Sequence, residues 1–189
     1  MNENPRSLTE QVIFQIDWHW SGQLRPRLTG LTDDEYFWEP SPGAWNVHPR
    51  GRSNTSTGHG AGKYTIDWEY PEPKPAPMTT IAWRMGHIIV GILGARVAGH
   101  FGGPPIDYES FQYAGSADEA LRQLDQQYAA WLAGVRTWDE AALAEPSGPA
   151  EGPWHEYSRA VLTLHINREL IHHGAEIALL RDLYAHRDD

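Results

Sequence analysis

Apolar residues recur at helical spacing in four stretches of the chain, and glycine- and proline-rich segments separate them. The first stretch runs from about Leu8 to Leu28, with Val12, Ile13, Ile16 and Trp20 in phase and Ser7 or Thr9 as cap. Thr32-Asp33-Asp34-Glu35 then has the form of a capping box and predicts a short helix into Tyr36, Phe37 and Trp38. The second long stretch runs from Thr79 or Thr80 to about Gly99 and is closed by Gly102-Gly103-Pro104-Pro105. A second capping box, Ser116-Ala117-Asp118-Glu119, opens the third, which continues to about Trp138, and Asp139 to Ala144 can add a turn. The fourth runs from about Trp154 to Tyr184, after a break at Pro146 to Pro153.

Between the first two long helices the pattern fails. Pro40 to Pro77 holds Ser41-Pro42-Gly43, a polar tract from Gly51 to Gly62, and four prolines from Pro71 to Pro77 that read as a stiff linker. It predicts an irregular lid or loop over about 40–77. The Gly51–Gly62 tract has one apolar residue, Ala61, so it is expected to be exposed and mobile, with Trp45 and Trp68 anchoring its ends. The expectation is therefore an all-α fold, a four-helix bundle in one domain over 1–189, with any site built from inward side chains. The linker before the third helix can span roughly 50 Å. That exceeds the roughly 30 Å of a 20-residue helix, so a crossover making helices two and three parallel is allowed.

Composition narrows the function classes. The chain has 189 residues, 15 Lys+Arg against 25 Asp+Glu, a formal net charge of −10 and a pI near 5.4. An acidic surface without a basic patch argues against nucleic acid. There is no cysteine, so disulfides, thiolate metal sites and a cysteine nucleophile are all excluded. The start lacks a signal pattern and no apolar run approaches a membrane span, which points to a cytoplasmic protein with no membrane partner. Ten His and nine Trp are the unusual features.

The chemistry concentrates in the fourth helix. At about 100° per residue, Leu162, Ile166, Ile177, Leu180 and Leu183 share one side, the predicted core face. Glu169 and His173 fall near its middle, with His165 and Glu176 close by, His172 at a flank and Arg168 further round. A buried carboxylate needs a partner, and the i, i+4 spacing of Glu169 and His173 can place both on one ion. A solvent-facing polar stripe, or a core histidine bonded to Glu169, would give the same pattern. On the second helix His87 shares a stripe with Thr80, Trp83, Gly91, Gly94 and Ala98. The small residues leave space for a metal, water or ligand, or permit close helix packing. Together His87, Glu169 and His173 would form a two-His, one-carboxylate site with an open position, suited to zinc, with nickel, iron or manganese as alternatives. His19, on the first helix, could face the same cavity or serve the core. His48, His59, His100, His155 and His186 fall near loops or helix ends and are expected to be solvated. Arg84 and Arg168 could hold a substrate carboxylate or form ion pairs.

These residues carry a resemblance. Trp83-Arg84-Met85-Gly86-His87 and the run from Asn167 to Ile177 resemble the DinB superfamily, in particular its actinobacterial branch related to mycothiol-dependent maleylpyruvate isomerase. Leu31 to Tyr36, Trp38-Glu39-Pro40 and Pro42-Gly43 resemble that branch too. The resemblance implies an up-down-down-up bundle and a divalent metal held by one His of the second helix and two i, i+4 ligands of the fourth. Glu169 then His173 matches the isomerase branch. The two-His pattern of other members is absent, since Arg168 lies four residues before His172, and a site using His172 with His87 stays open. The activity implied is a metal-dependent thiol S-transferase or isomerase joining a low-molecular-weight thiol of the mycothiol type to a small electrophile. No general base is identified, Glu176 and His172 being the nearest candidates, and a homodimer is one assembly open to the chain. The competing class is a non-enzymatic metal- or ligand-binding stress-response protein.

Overall fold

The computed structural model describes residues 7–187. Helix α1 comprises Leu8–His19, a π-helical stretch Trp20–Leu24 and a last turn Arg25–Arg27. Its start is a capping box: the Ser7 hydroxyl accepts the Glu10 N–H at 3.1 Å and the Glu10 carboxylate accepts the Ser7 N–H at 2.9 Å. Thr32 caps α2 (Asp33–Tyr36). Helix α3 comprises Ile81–His87, a π-helical stretch Ile88–Gly94 and Ala95–Phe101. Ser116 caps α4 (Ala117–Val135), Asp139 caps α5 (Glu140–Ala144), and Ser158 caps α6 (Arg159–Ala185).

Helices α1 and α3 each pack against both α4 and α6, and the four share one core. Ile16, Leu28, Met85, Leu93, Leu124 and Leu170 are all buried to within 1%. Ile81–Phe101 is long and apolar enough to cross a membrane by length and composition, contrary to the sequence expectation. Most of it is buried inside the fold, as the central helix of a packed domain would be.

The Pro40–Pro77 segment is not irregular throughout. It forms a three-stranded antiparallel sheet in the order β1 (Val47–Pro49), β3 (Tyr64–Asp67), β2 (Gly58–His59). Val47 pairs with Ile66 and Gly58 with Asp67. The organiser is Asp67, whose side chain is fully buried. It accepts the Asn46 N–H at 2.9 Å, His48 Nε2 at 3.0 Å, the Asn54 N–H at 3.1 Å and the Ser53 hydroxyl. Four donors satisfy a carboxylate that could not otherwise be buried. The polar Ser53 and Asn54 of the Gly51–Gly62 tract are thus structural, a role that composition alone does not reveal. Asn46 ties the sheet to α3, because its side-chain oxygen accepts the hydroxyl of Thr80, the α3 cap, at 2.8 Å.

Other boundaries shift for local reasons. A 3-10 turn, Pro149–Trp154, precedes α6, so that helix starts at Arg159 rather than near Trp154. Leu183, expected on the core face, is 45% exposed. His48, His59 and His100 are not free in solvent: they pair with Asp67, Glu109 and Glu151 respectively.

Candidate metal centre

His87 closes the first segment of α3, directly before the π-helical stretch; such insertions into helices recur at functional sites. His173 lies on the inward face of α6 and is 7% exposed. Packing of α3 against α6 brings the two rings edge to face, with centroids 4.8 Å apart.

Each imidazole has one nitrogen occupied. His87 Nδ1 lies 2.6 Å from the Tyr108 hydroxyl. His173 Nδ1 lies 2.7 Å from Glu176 Oε2, which assigns its proton to Nδ1 as donor to the carboxylate. That leaves His173 Nε2 free, 3.7 Å from Glu169 Oε2. Such carboxylate or hydroxyl partners fix the tautomer and orientation of metal-ligating histidines. Glu176 is shared further: Arg84 Nη1 is 3.1 Å from the same Oε2 and 3.3 Å from His173 Nδ1, and His172 Nε2 is 3.5 Å from Oε1. Arg168 and His165 flank Glu169 Oε1 at 3.1 and 3.5 Å.

Protonation follows from these surroundings. Burial, with His173 and Arg84 nearby, pushes the His87 pKa down to about 3. Burial also lowers His173, outweighing its hydrogen bond to Glu176. Glu169 is lowered, because Arg168 and the neighbouring histidines outweigh a burial effect that would raise it. Two neutral imidazoles and an ionised carboxylate are the states that a metal ion requires of its ligands.

His172, His173 and Glu176 offer ligand atoms all within 4.8 Å of one another, close enough to share one ion. Beside them, Arg84 and Arg168 form ion pairs with Glu176 and Glu169. His19 hydrogen-bonds Gln23 on its own helix at 3.0 Å and makes no hydrogen bond to the others.

The small residues beside His87 do not leave a cavity. A Cβ on Gly91 would lie 2.1 Å from the Tyr108 hydroxyl oxygen and 3.3 Å from His87 Nδ1. One on Gly94 would meet Ile106 at 3.1 Å. The 102–116 connection fills the predicted space, and Gly91 is the residue that lets Tyr108 reach His87. Sequence reasoning missed Tyr108; the signal was the glycine stripe, which left room for a ligand and close helix packing equally open and did not name the side chain that fills it. It also missed Trp68, which sits against Trp83, His87 and Tyr108 at centroid distances of 5.7, 6.4 and 5.2 Å. The Trp83 indole N–H donates to the Asp67 carbonyl at 2.7 Å, so the sheet sets this aromatic wall.

A profile described as the DinB superfamily matches residues 63–177, more than half of the chain. The chain belongs to the DinB superfamily. The match spans α3, the Tyr108 connection, α4 and the part of α6 that carries Glu169, His172, His173 and Glu176. No curated protein and no solved structure gives a match. In this DinB protein the parts of α3 and α6 that bear the candidate ligands therefore lie inside the family region, whereas α1, with His19, lies outside it.

Proposed function

We propose that His87, Glu169 and His173 hold one divalent metal ion, zinc before nickel, iron or manganese. The observation that carries this reading is the state of the donors: two neutral imidazoles, each with Nδ1 occupied, and an ionised carboxylate facing His173 Nε2. A nitrogen and oxygen set of this kind suits zinc. The rival set, His172 with His173 and Glu176, would place the ion at the Nδ1 side of His173. There the Arg84 guanidinium is already within 3.3 Å and would repel it. His172 is also 61% exposed. Electrostatics thus favours the inner set, with Glu176 and Tyr108 as the groups that orient its histidines.

The fold we infer is the up-down-down-up bundle that the DinB resemblance implies, and the setting is cytoplasmic. A bound ion would lower the pKa of a thiol at its open position. The chain has no cysteine, so a nucleophilic thiol arrives as a cosubstrate. Arg84, held at Glu176, supplies a fixed positive charge beside the site, and Trp68, Trp83 and Tyr108 form an apolar wall that limits water. Resemblance to the mycothiol-dependent isomerase branch supports a thiol S-transferase or isomerase acting on a small electrophile. Calorimetry of a low-molecular-weight thiol into zinc-loaded protein tests this. Binding is expected with the loaded protein and not with metal-stripped or Glu169→Gln protein. A fully loaded protein that binds no thiol would leave a metal-binding protein without this chemistry.

A further inference from the structure

The 102–116 connection, which brings Tyr108 to His87, is itself held from the small sheet. The Ala61 N–H donates to the Phe111 carbonyl at 2.9 Å, and Arg50 stiffens the segment beside it by donating to the Gly60 and Gly62 carbonyls. Tyr113, 5% exposed, is wedged between two glycines. A Cβ on Gly60, whose φ is +132°, would lie 2.8 Å from its ring, and one on Gly86 would lie 3.3 Å from it. Gly86 precedes His87, so Tyr113 packs on the helix backbone beside the candidate ligand. Its hydroxyl donates to the Tyr108 carbonyl at 3.2 Å. Tyr108 sits in a tight turn, in which the Asp107 carboxylate accepts the Glu109 and Ser110 N–H groups at 2.9 and 2.7 Å.

A second tie reaches the same place. His59 Nδ1 lies 2.5 Å from Oε1 of Glu109, the residue after Tyr108, and its Nε2 lies 3.3 Å from the Trp68 carbonyl oxygen. One ring thus spans the two segments whose aromatic side chains flank His87. Glu109 is 74% exposed, and a contact to so open a carboxylate adds little stability; what it fixes is geometry. An anchor for the sheet alone needs no bond to Tyr108, yet the Tyr113 and His59 contacts end on Tyr108 itself and on the residue bonded to it. His59 and Gly60 precede the stretch matched by the family profile, whereas Tyr108 and Tyr113 fall inside it.

We propose that Tyr113 and His59 are positioning residues for His87, acting through Tyr108. Partners of a ligating histidine fix its ring orientation and tautomer, so loosening Tyr108 loosens His87. This role rests on the reading of His87 as a metal ligand, but the placement of its ring does not.

Two readouts test it, one of them without metal. In nitrogen NMR spectra of the histidine rings of metal-free protein, Tyr108→Phe marks the His87 signals that lack the hydroxyl. Tyr113→Phe, which keeps the ring and deletes one hydroxyl, and His59→Ala should each move the His87 signals towards that marker. Ser158→Ala, which weakens the fold at the start of α6, should leave them in place. Glu109→Gln, which keeps an acceptor for His59, should match wild type, and Glu109→Ala should match His59→Ala. In competition with a chelator, Tyr113→Phe and His59→Ala should each bind zinc about tenfold more weakly than wild type. A variant whose His87 signals stay in place removes its residue from the role. Signals unmoved in both, or wild-type zinc affinity in both, would overturn the proposal. Were the wild type to take up no zinc, the metal reading would fall and the spectra alone would decide the positioning. Were His59→Ala to misfold, Tyr113→Phe would still decide it.

Discussion

Helices α4 and α6 are both long, both capped by serine and both packed into the same core, yet they obey different rules. In α4 the buried side carries Leu121, Leu124, Tyr128 and Trp131, and the exposed side carries Asp118, Arg122 and Gln126. In α6 the buried side includes His173 and the exposed side is largely apolar. The comparison shows that a helix which only packs is described by its hydrophobic pattern. A helix that also brings ionisable groups inward and leaves apolar ones exposed is described by which residues violate that pattern.

The largest effects should come from the shared property, the core. Leu124→Ala in α4 and Leu170→Ala in α6 remove fully buried side chains and should each cost about 2–5 kcal/mol in chemical denaturation. Arg122→Ala, on the exposed side of α4, should stay within about 0.5 kcal/mol. A mild Leu170→Ala would show that the inward face of α6 is not core.

The next test sharpens the difference, because α6 and the α3 helix facing it, but not α4, should report on ligand orientation. Gly91→Ala forces Tyr108 off His87 Nδ1, and Glu176→Ala frees His173 Nδ1. Each should weaken zinc binding by about 10- to 100-fold in competition with a chelator. Leu124→Ala, if folded, should leave zinc affinity unchanged.

A smaller effect separates both helices from the sheet. His48 is raised, first by its hydrogen bond to Asp67, so its contribution is complete below its unfolded value of 6.5 and is lost as pH rises through its folded pKa. Asp67 is lowered: burial would raise it, but hydrogen bonds from His48, Ser53 and the Asn46 N–H outweigh that. Its contribution is present above 3.8 and is lost as pH falls through its folded pKa. The pair should thus anchor the sheet best between these two unfolded values. Thermal melting should show wild type keeping its advantage over His48→Ala below pH 6.5 and losing it over the range above that value, as pH rises through the raised pKa. An advantage constant over that range would remove the ion-pair account.

The smallest effect should be common to α4 and α6. Ser116→Ala and Ser158→Ala each delete a side-chain cap on a backbone N–H, of Glu119 and Val161, and should cost about 1 kcal/mol apiece in denaturant melts. A cost confined to one helix would mean that the other start is held by its tertiary contacts.

Much of this molecule is legible in its sequence for reasons that are local. The caps at Thr32 and Ser116, and the 3.6-residue period of α1, α3 and α4, announce their helices because capping and amphipathicity act over a few residues. The meeting of Glu169 and His173 is legible because i, i+4 spacing is also local. What stays hidden is what depends on distant partners. The sheet rests on Asp67 meeting His48, Ser53 and Asn54, none of which alternates in an apolar pattern. Tyr108 belongs to the site only because a loop folds back over Gly91. The choice between His172 and His173 likewise turns on Arg84, a residue of another helix.

The central claim is that the ion sits on the inner side of His173, shared with His87 and Glu169. Elemental analysis of purified wild type, His87→Ala and His172→Ala after loading with zinc tests it most directly. One zinc per chain in wild type and His172→Ala, and none in His87→Ala, is the predicted result. Zinc retained by His87→Ala and lost from His172→Ala would place the ion on the outer cluster with Glu176 and contradict the account.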